Sequence, residues 1–306
     1  MTIPVIDLHC DVLFKMAKDQ LPFRTGTHFD ASYANLVAGN VRIQAFAIFV
    51  MPDWSMEKQL KSALEQYTYF QQSVVGEGVV HLKSWAQFDT LQPGEVGAFL
   101  TLEGVGYFED SAYLWHIFRE MGVLNIGMTW NAANALADGA DEDLGRGVTP
   151  FGKNIIEWNN EAHIFTDVSH LTERAFWDVM DYAKYPIATH SNAAAVHPHV
   201  RNLTDAQIQA MIAKQAPIHV LYYPTFLTTK AEATIADVVK HIDHIASLGA
   251  VHLIGLGSDF DGIDAKVKGL ETAAHIQNLL EALSHYYTDE QVRGFAYQNF
   301  LNHRPK

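Results

Sequence analysis

The chain has 306 residues, 48% of them hydrophobic and 18% charged, with a formal net charge of −14. That length and apolar share can fill one large core over residues 1–306, a size at which α/β barrels fold as single units. The acidic balance excludes the clustered cations that nucleic acid or an anionic membrane surface needs, and favours a small, neutral or zwitterionic partner.

The one cysteine, Cys10, excludes an internal disulfide and suits a reducing compartment. No leader or lipid-anchor pattern is read at either end, and the most apolar stretch, Ile43 to Met51, is too short to span a bilayer. The expectation is a cytoplasmic protein.

In chain order, the apolar run Val5-Ile6-Asp7-Leu8-His9-Cys10-Asp11 comes first. As a strand it places His9 and Asp11 on one side and Cys10 on the other, in the barrel wall. A core histidine followed by a helix N-cap is the competing reading of the same pair. Further strands are predicted at Ile43 to Val50, Gly97 to Leu102, Leu124 to Thr129, Ile164 to Val168, Pro186 to Thr189, Ile218 to Tyr223 and Leu253 to Gly257. Helical stretches lie between them at Met56 to Val75, Ser111 to Met121, Glu173 to Ala183, Asp205 to Lys214 and Ile235 to Ser247. Alternating strands and helices with about eight strands predict a (β/α)8 TIM-type barrel. Extra C-terminal helices from Glu271 to Asn302, with Thr288 as an N-cap, should pack on its outside.

Chemistry in such barrels sits at the C-terminal ends of the strands. Reading those ends in order gives His9 and Asp11, Glu103, Trp130-Asn131, His170, His190, Tyr223 and Asp259. One of the 16 histidines at one strand end means little, but several beside Asp11 and Glu103 are hard to obtain from packing alone. Imidazole with carboxylate suits Zn2+ or another divalent ion. Five ligands exceed the three that a catalytic zinc usually takes. Two metals resolve the count: His9 and Asp11 on the first, His170 and His190 on the second, Glu103 bridging. A hydroxide held between them would be the nucleophile, and the chain has no Gly-x-Ser-x-Gly elbow to supply another. His241 and His244 read as solvated on an exposed helix, Asp138 to Asp143 as a solvated loop or lid near the mouth, and Asp261 as a cap on the following turn.

Taken together, Asp7-Leu8-His9-Cys10-Asp11, Leu102-Glu103-Gly104, Val148-Thr149-Pro150-Phe151-Gly152, Asp167-Val168-Ser169-His170, Thr189-His190-Ser191-Asn192, Arg201-Asn202 and Gly257-Ser258-Asp259-Phe260-Asp261-Gly262 resemble the membrane dipeptidase (renal dipeptidase) family. These are binuclear zinc peptidases among the amidohydrolase-like barrels. The resemblance implies the same ligand division, with a dipeptide or similar small substrate and a possible homodimer. It also implies that Arg201 holds the substrate carboxylate, that Asp259 serves the proton and the leaving amine, and that Tyr223 lines the pocket. Competing readings are a surface arginine pairing with Asp205 and a tyrosine buried in the wall. The chain departs from several family members in Met128-Thr129-Trp130-Asn131, where they carry a histidine thought to bind the substrate oxygen. Either Asn131 or the metals cover that role, Trp130 reshapes the pocket, or it only fills the barrel mouth. A barrel amidohydrolase acting on a non-peptide amide, ester or lactam therefore stays open, as does a metal-binding barrel without catalysis.

Overall fold

Short buried runs of Val, Ile, Leu and Phe form a parallel wall in the computed structural model, which describes residues 2–24 and 28–306. The strands are β1 (Val5–Asp7), β2 (Val41–Phe49), β3 (Val79–His81), β4 (Val96–Glu103), β5 (Val123–Gly127), β6 (Phe165–Asp167), β7 (Pro186–Ile187), β8 (Ile218–Val220) and β9 (Ile254–Leu256). They neighbour one another in the order β7-β6-β5-β4-β2-β1-β9-β8. Between β7 and β8, Ala188 bridges Ile218, and Ser191 N–H donates to the His219 carbonyl at 2.8 Å. The result is the TIM-type barrel, wrapped by helices. All eight expected strands are present, and most end earlier than expected, because there the backbone leaves the sheet to turn site residues inward.

β3 was not expected. Its three residues pair with Val96–Ala98 of β4, and Gly76 and Gly78 break the pattern before it. The helices begin where a hydroxyl can take an orphan backbone N–H: Ser55, Thr149, Thr172, Thr204 and Thr288 each accept one. Asp11 occupies the corresponding position ahead of Val12–Asp19, yet makes no side-chain cap. Its carboxylate is directed elsewhere.

The C-terminal helices do not only pack outside. Phe300, on the helix Asn299–His303, meets Phe99 of β4, the residue Phe165 of β6 and His219 of β8 at ring separations of 6.4, 6.1 and 5.8 Å. Contacts from alternate strands mark an interior layer, so the tail stoppers the barrel end opposite the strand C-termini. No described helix is long and apolar enough to cross a membrane.

His241 corrects another expectation, being fully buried rather than solvated. Its Nδ1 accepts the Ala193 N–H at 3.1 Å and its Nε2 donates to the Leu227 carbonyl at 3.1 Å, which staples the segments after β7 and β8 to the helix Ile235–Ile245. Only His244 faces outward, paired with Asp205 at 2.7 Å. Burial holds His81, His219 and His241 down to about 4 from an ordinary 6.5. The unfolded chain would protonate them below about pH 6.5 while the fold keeps them neutral, so this stability is intact above 6.5 and is lost as pH falls toward 4. Thermal unfolding of the metal-free protein should therefore shift down across that window. His241→Gln should flatten the dependence and lower the midpoint at pH 7; an unchanged pH slope would contradict the argument.

Candidate metal centre and substrate cavity

Two buried carboxylates hold the strand ends that carry the site. Asp7, at the end of β1, accepts from Ser258 N–H at 2.8 Å and from its hydroxyl at 2.6 Å, which clamps the chain after β9 against β1. Asp167, at the end of β6, accepts from Ser169 N–H at 3.0 Å, from the Ser169 hydroxyl at 2.7 Å and from Thr189 N–H at 3.2 Å, and the Thr189 hydroxyl also donates to it. One clamp sets His9, Asp11 and Asp259, and the other sets His170 and His190. Burial raises the Asp7 carboxyl to about 6. Neither aspartate was singled out from the sequence, because each looks like the ordinary end of an apolar run.

The clamps bring all five expected ligands together. His9 Nε2 lies 3.3 Å from Asp11 Oδ2, 3.3 Å from Glu103 Oε2 and 3.8 Å from Asp259 Oδ1. The other oxygen of Glu103, Oε1, lies 2.7 Å from His170 Nε2 and 3.9 Å from His190 Nε2. Glu103 thus faces one imidazole set with each oxygen. The sets are not sharply separate, since His190 also groups with His9 and Glu103. Asp259 groups with His9 and Asp11.

The hydrogen bonds fix which nitrogens carry lone pairs. His170 Nδ1–H donates to Asn131 Oδ1 at 2.7 Å. His190 Nδ1–H donates to the Thr189 oxygen at 2.8 Å, whose own proton goes to Asp167. Both Nε2 atoms therefore present lone pairs, and they stand 2.7 Å apart beside a carboxylate oxygen. Lone pairs so arranged repel unless a cation lies among them, so this donor set fits a divalent metal. Burial, with Arg201 nearby, pushes His170 down to about 4, and His190 is also held well below its usual value. Neutral imidazoles are the form that ligates. Burial works against the charged forms of His9 and Glu103 as well, but their mutual attraction prevails, raising His9 and lowering Glu103. Burial raises Asp11 and Asp259; the Glu103 charge adds to both, and the Asp11 charge adds to Asp259.

Above the ligands is a cavity of about 590 Å³ lined in part by Trp130, Asn131, Arg201, Tyr223, Phe226 and Asp259. Arg201 is not the surface residue of the competing reading: it is buried, and Asp205 pairs with His244 instead. Its Nη2 donates to His170 Nε2 at 3.0 Å, a bond that a metal on that lone pair would replace; its Nε has no partner, and no carboxylate among the described residues pairs with it. A buried guanidinium so placed awaits an anion. Tyr223 lines the cavity half-exposed and donates to Asp264 at 3.0 Å. Trp130 sits at the mouth between Phe49, which it meets edge to face at 5.4 Å, and His170, tilted at 6.3 Å.

Two expectations need correction. Asp261 does not cap the turn after it: its carboxylate accepts from Asp30 N–H and Ala31 N–H at 3.0 Å each and pairs with Lys15 at 2.9 Å, tying down a distant loop. Asp138 is fully buried against Arg146, and the backbone N–H of Ala140 donates to the His170 carbonyl at 2.9 Å. The loop Asp138 to Asp143 is thus anchored to the site rather than simply solvated.

Residues 1–303 match the family model described as membrane dipeptidase, peptidase family M19. The chain belongs to this family. It is 36% identical over 173 residues to an uncharacterized protein in the pqqA 5′ region of Klebsiella pneumoniae, covering 53% of this chain and 64% of that one. It is 31% identical over 196 residues to the dipeptidase tcpJ of Claviceps purpurea, covering 62% and 46%. The matched regions span about half to two thirds of the length of these curated relatives. A metallo peptidase from Rhodobacter sphaeroides, solved with a phosphinate mimic of the dipeptide L-Ala-D-Ala, superposes with a TM-score of 0.91 over 99% of this chain and 100% of that one, at 23% identity. That likeness establishes the barrel fold.

In this family member Gly262 leaves the room that the Asp11 and Asp259 carboxylates occupy. A Cβ there would overlap Asp11 Oδ2 and lie 2.6 Å from Asp259 Oδ1, although its backbone conformation would tolerate alanine. Gly262→Ala should leave the circular dichroism spectrum native, weaken metal retention and cut turnover by roughly 10²-fold, the scale of a 1 Å misplacement. Native metal content and turnover in that variant would show that the pair tolerates displacement.

Proposed function

We propose that the chain is a metal-dependent dipeptidase that holds two zinc ions and cleaves the amide bond of a free dipeptide, in the cytoplasm. The observation that carries this reading is the divided Glu103 carboxylate, 3.3 Å from His9 on one side and 2.7 Å from His170 on the other. When bound, the metals would polarise the substrate carbonyl and lower the pKa of water enough for attack near neutral pH. His9 and Asp11 would hold one, His170 and His190 the other, with Glu103 shared. Asn131 and Thr189 keep both imidazoles in the ligating tautomer. Arg201 would take the substrate's terminal carboxylate through its unpartnered Nε and a terminal nitrogen, which fixes the peptide's direction. Asp259, beside His9 and Asp11 on the side of the cluster away from Arg201, would as a carboxylate accept a proton from the attacking water and deliver it to the leaving amine. A site that reads both ends excludes longer peptides.

Trp130 supports a second reading, an amidohydrolase acting on a non-peptide amide, ester or lactam. It places an indole where several family members have a histidine. The test is metal content with a panel of L,L and L,D dipeptides, before and after chelation and zinc re-addition. The expected result is about two metals per chain, activity restored by zinc, and little turnover of carboxyl-amidated dipeptides. Metal without dipeptide cleavage would shift the case to the second reading, and no bound metal would overturn both. Separately, Arg201→Lys should lower kcat/KM for free dipeptides by about 10²-fold while sparing metal content, since an ammonium cannot make the paired contact. Equal loss on amidated and free substrates would remove Arg201 from carboxylate recognition.

A further inference from the structure

A second cavity, of about 550 Å³, adjoins the first. Phe14 and Lys18 line both. Its floor is Phe14, Met51 and Trp54, and its rim carries Lys18, Lys58 and Lys61 with the single carboxylate Glu65. None of these lysines forms an ion pair among the described residues, and Lys58 lies 3.7 Å over the Trp54 ring. In a chain of net charge −14, the groove lining carries three lysines against the one carboxylate Glu65, with Asp19 lining the adjoining cavity. An aromatic wall joins the groove to the ligands: His170 to Trp130 at 6.3 Å, Trp130 to Phe49 at 5.4 Å, Phe49 to Phe14 at 5.0 Å and Phe14 to Trp54 at 6.2 Å.

The barrel order says which end of a substrate would meet it. The groove is built from the segments after β1 and β2, and β1 neighbours β9, which Asp259 follows. Arg201 follows β7, further around the wall. With the carboxylate at Arg201 and the amine toward Asp259, the amino-terminal residue would lie in the part of the first cavity that Asp11, Phe14 and Lys18 also line, next to the groove. We infer that this groove is a specificity subsite for amino-terminal residues whose side chain has a long apolar stem and an anionic end. The inference rests on the dipeptidase reading. The stem lies on Phe14, Met51 and Trp54, and the anion meets the three lysines.

The test compares L-lysyl-L-alanine carrying an ε-succinyl, an ε-acetyl or no group, which varies end charge on one stem. The succinyl substrate should exceed the acetyl one by about tenfold in kcat/KM, mainly through KM, and the margin should shrink in high salt. Lys58→Glu with Lys61→Glu should reverse that ratio, whereas Lys153→Glu with Lys184→Glu, the same charge change elsewhere, should not. Binding is read independently in chelated protein by tryptophan fluorescence, with Trp54→Phe identifying the signal. Equal turnover of the succinyl and acetyl substrates, with no Trp54 response, would overturn the subsite. Charge-selective Trp54 quenching with no turnover of any dipeptide after zinc re-addition would keep the subsite and overturn the dipeptidase reading; absence of both signals would overturn both.

Discussion

The site depends on two carboxylates that never face the substrate. Asp7 and Asp167 are buried beneath the strand ends, and each satisfies backbone and hydroxyl donors from a second segment. Parallel strands cannot be joined by tight turns, so their C-terminal ends would otherwise diverge into separate loops. A buried carboxylate with several well-placed donors couples neighbouring ends tightly, because removing any donor leaves charge unsatisfied in a dry interior. The clamp between β1 and β9 and the clamp between β6 and β7 therefore set the spacing across which Glu103 reaches.

That spacing matters because the ligand cluster is electrostatically frustrated on its own. Neutral imidazole lone pairs face one another, and three carboxylates share a buried volume with one strongly basic histidine. A fold keeps such an arrangement only if rigid supports hold it or a bound cation relieves it. Here the supports are visible. Asn131 and Thr189 orient the rings from behind, the chain past β1 is held by hydrogen bonds from Asp11 N–H to Phe260 and from Ala47 N–H to Cys10, and Gly262 leaves room for two aspartates.

The barrel was legible because its strands are apolar runs at regular intervals, and the clustered His, Asp and Glu residues were legible because they follow those runs. His9 and Asp11 share a side by period-2 spacing, and Glu103 is the last residue of an otherwise apolar strand. What stayed hidden depends on partners far apart in sequence. His241 reads as a surface residue until Ala193 and Leu227 are placed around it, and Asp261 reads as a turn cap until Asp30 and Ala31 arrive from 230 or more positions away. β3 has too few residues to show a period, and Phe300 gives no sign in a polar tail that it will fill the barrel's far end. Asn131 drew notice only for what it might do to substrate. Its carbonyl is already committed to His170, which assigns its main role to orienting a ligand.

In the proposed role, Arg201 would tie stability and selectivity together. Burying a guanidinium without a carboxylate is costly, and His170 offsets only part of that cost through one hydrogen bond. Burial lowers its pKa to about 10, still charged at neutral pH. A ligand that supplied a free carboxylate would complete the pairing and recover the desolvation already spent. One with a blocked terminus would enter the same cavity and leave the charge unmatched, a penalty that would grow as the cavity excluded water. Discrimination of this kind comes from an unsatisfied group in the empty site rather than from added contacts, which is why a single residue can set it.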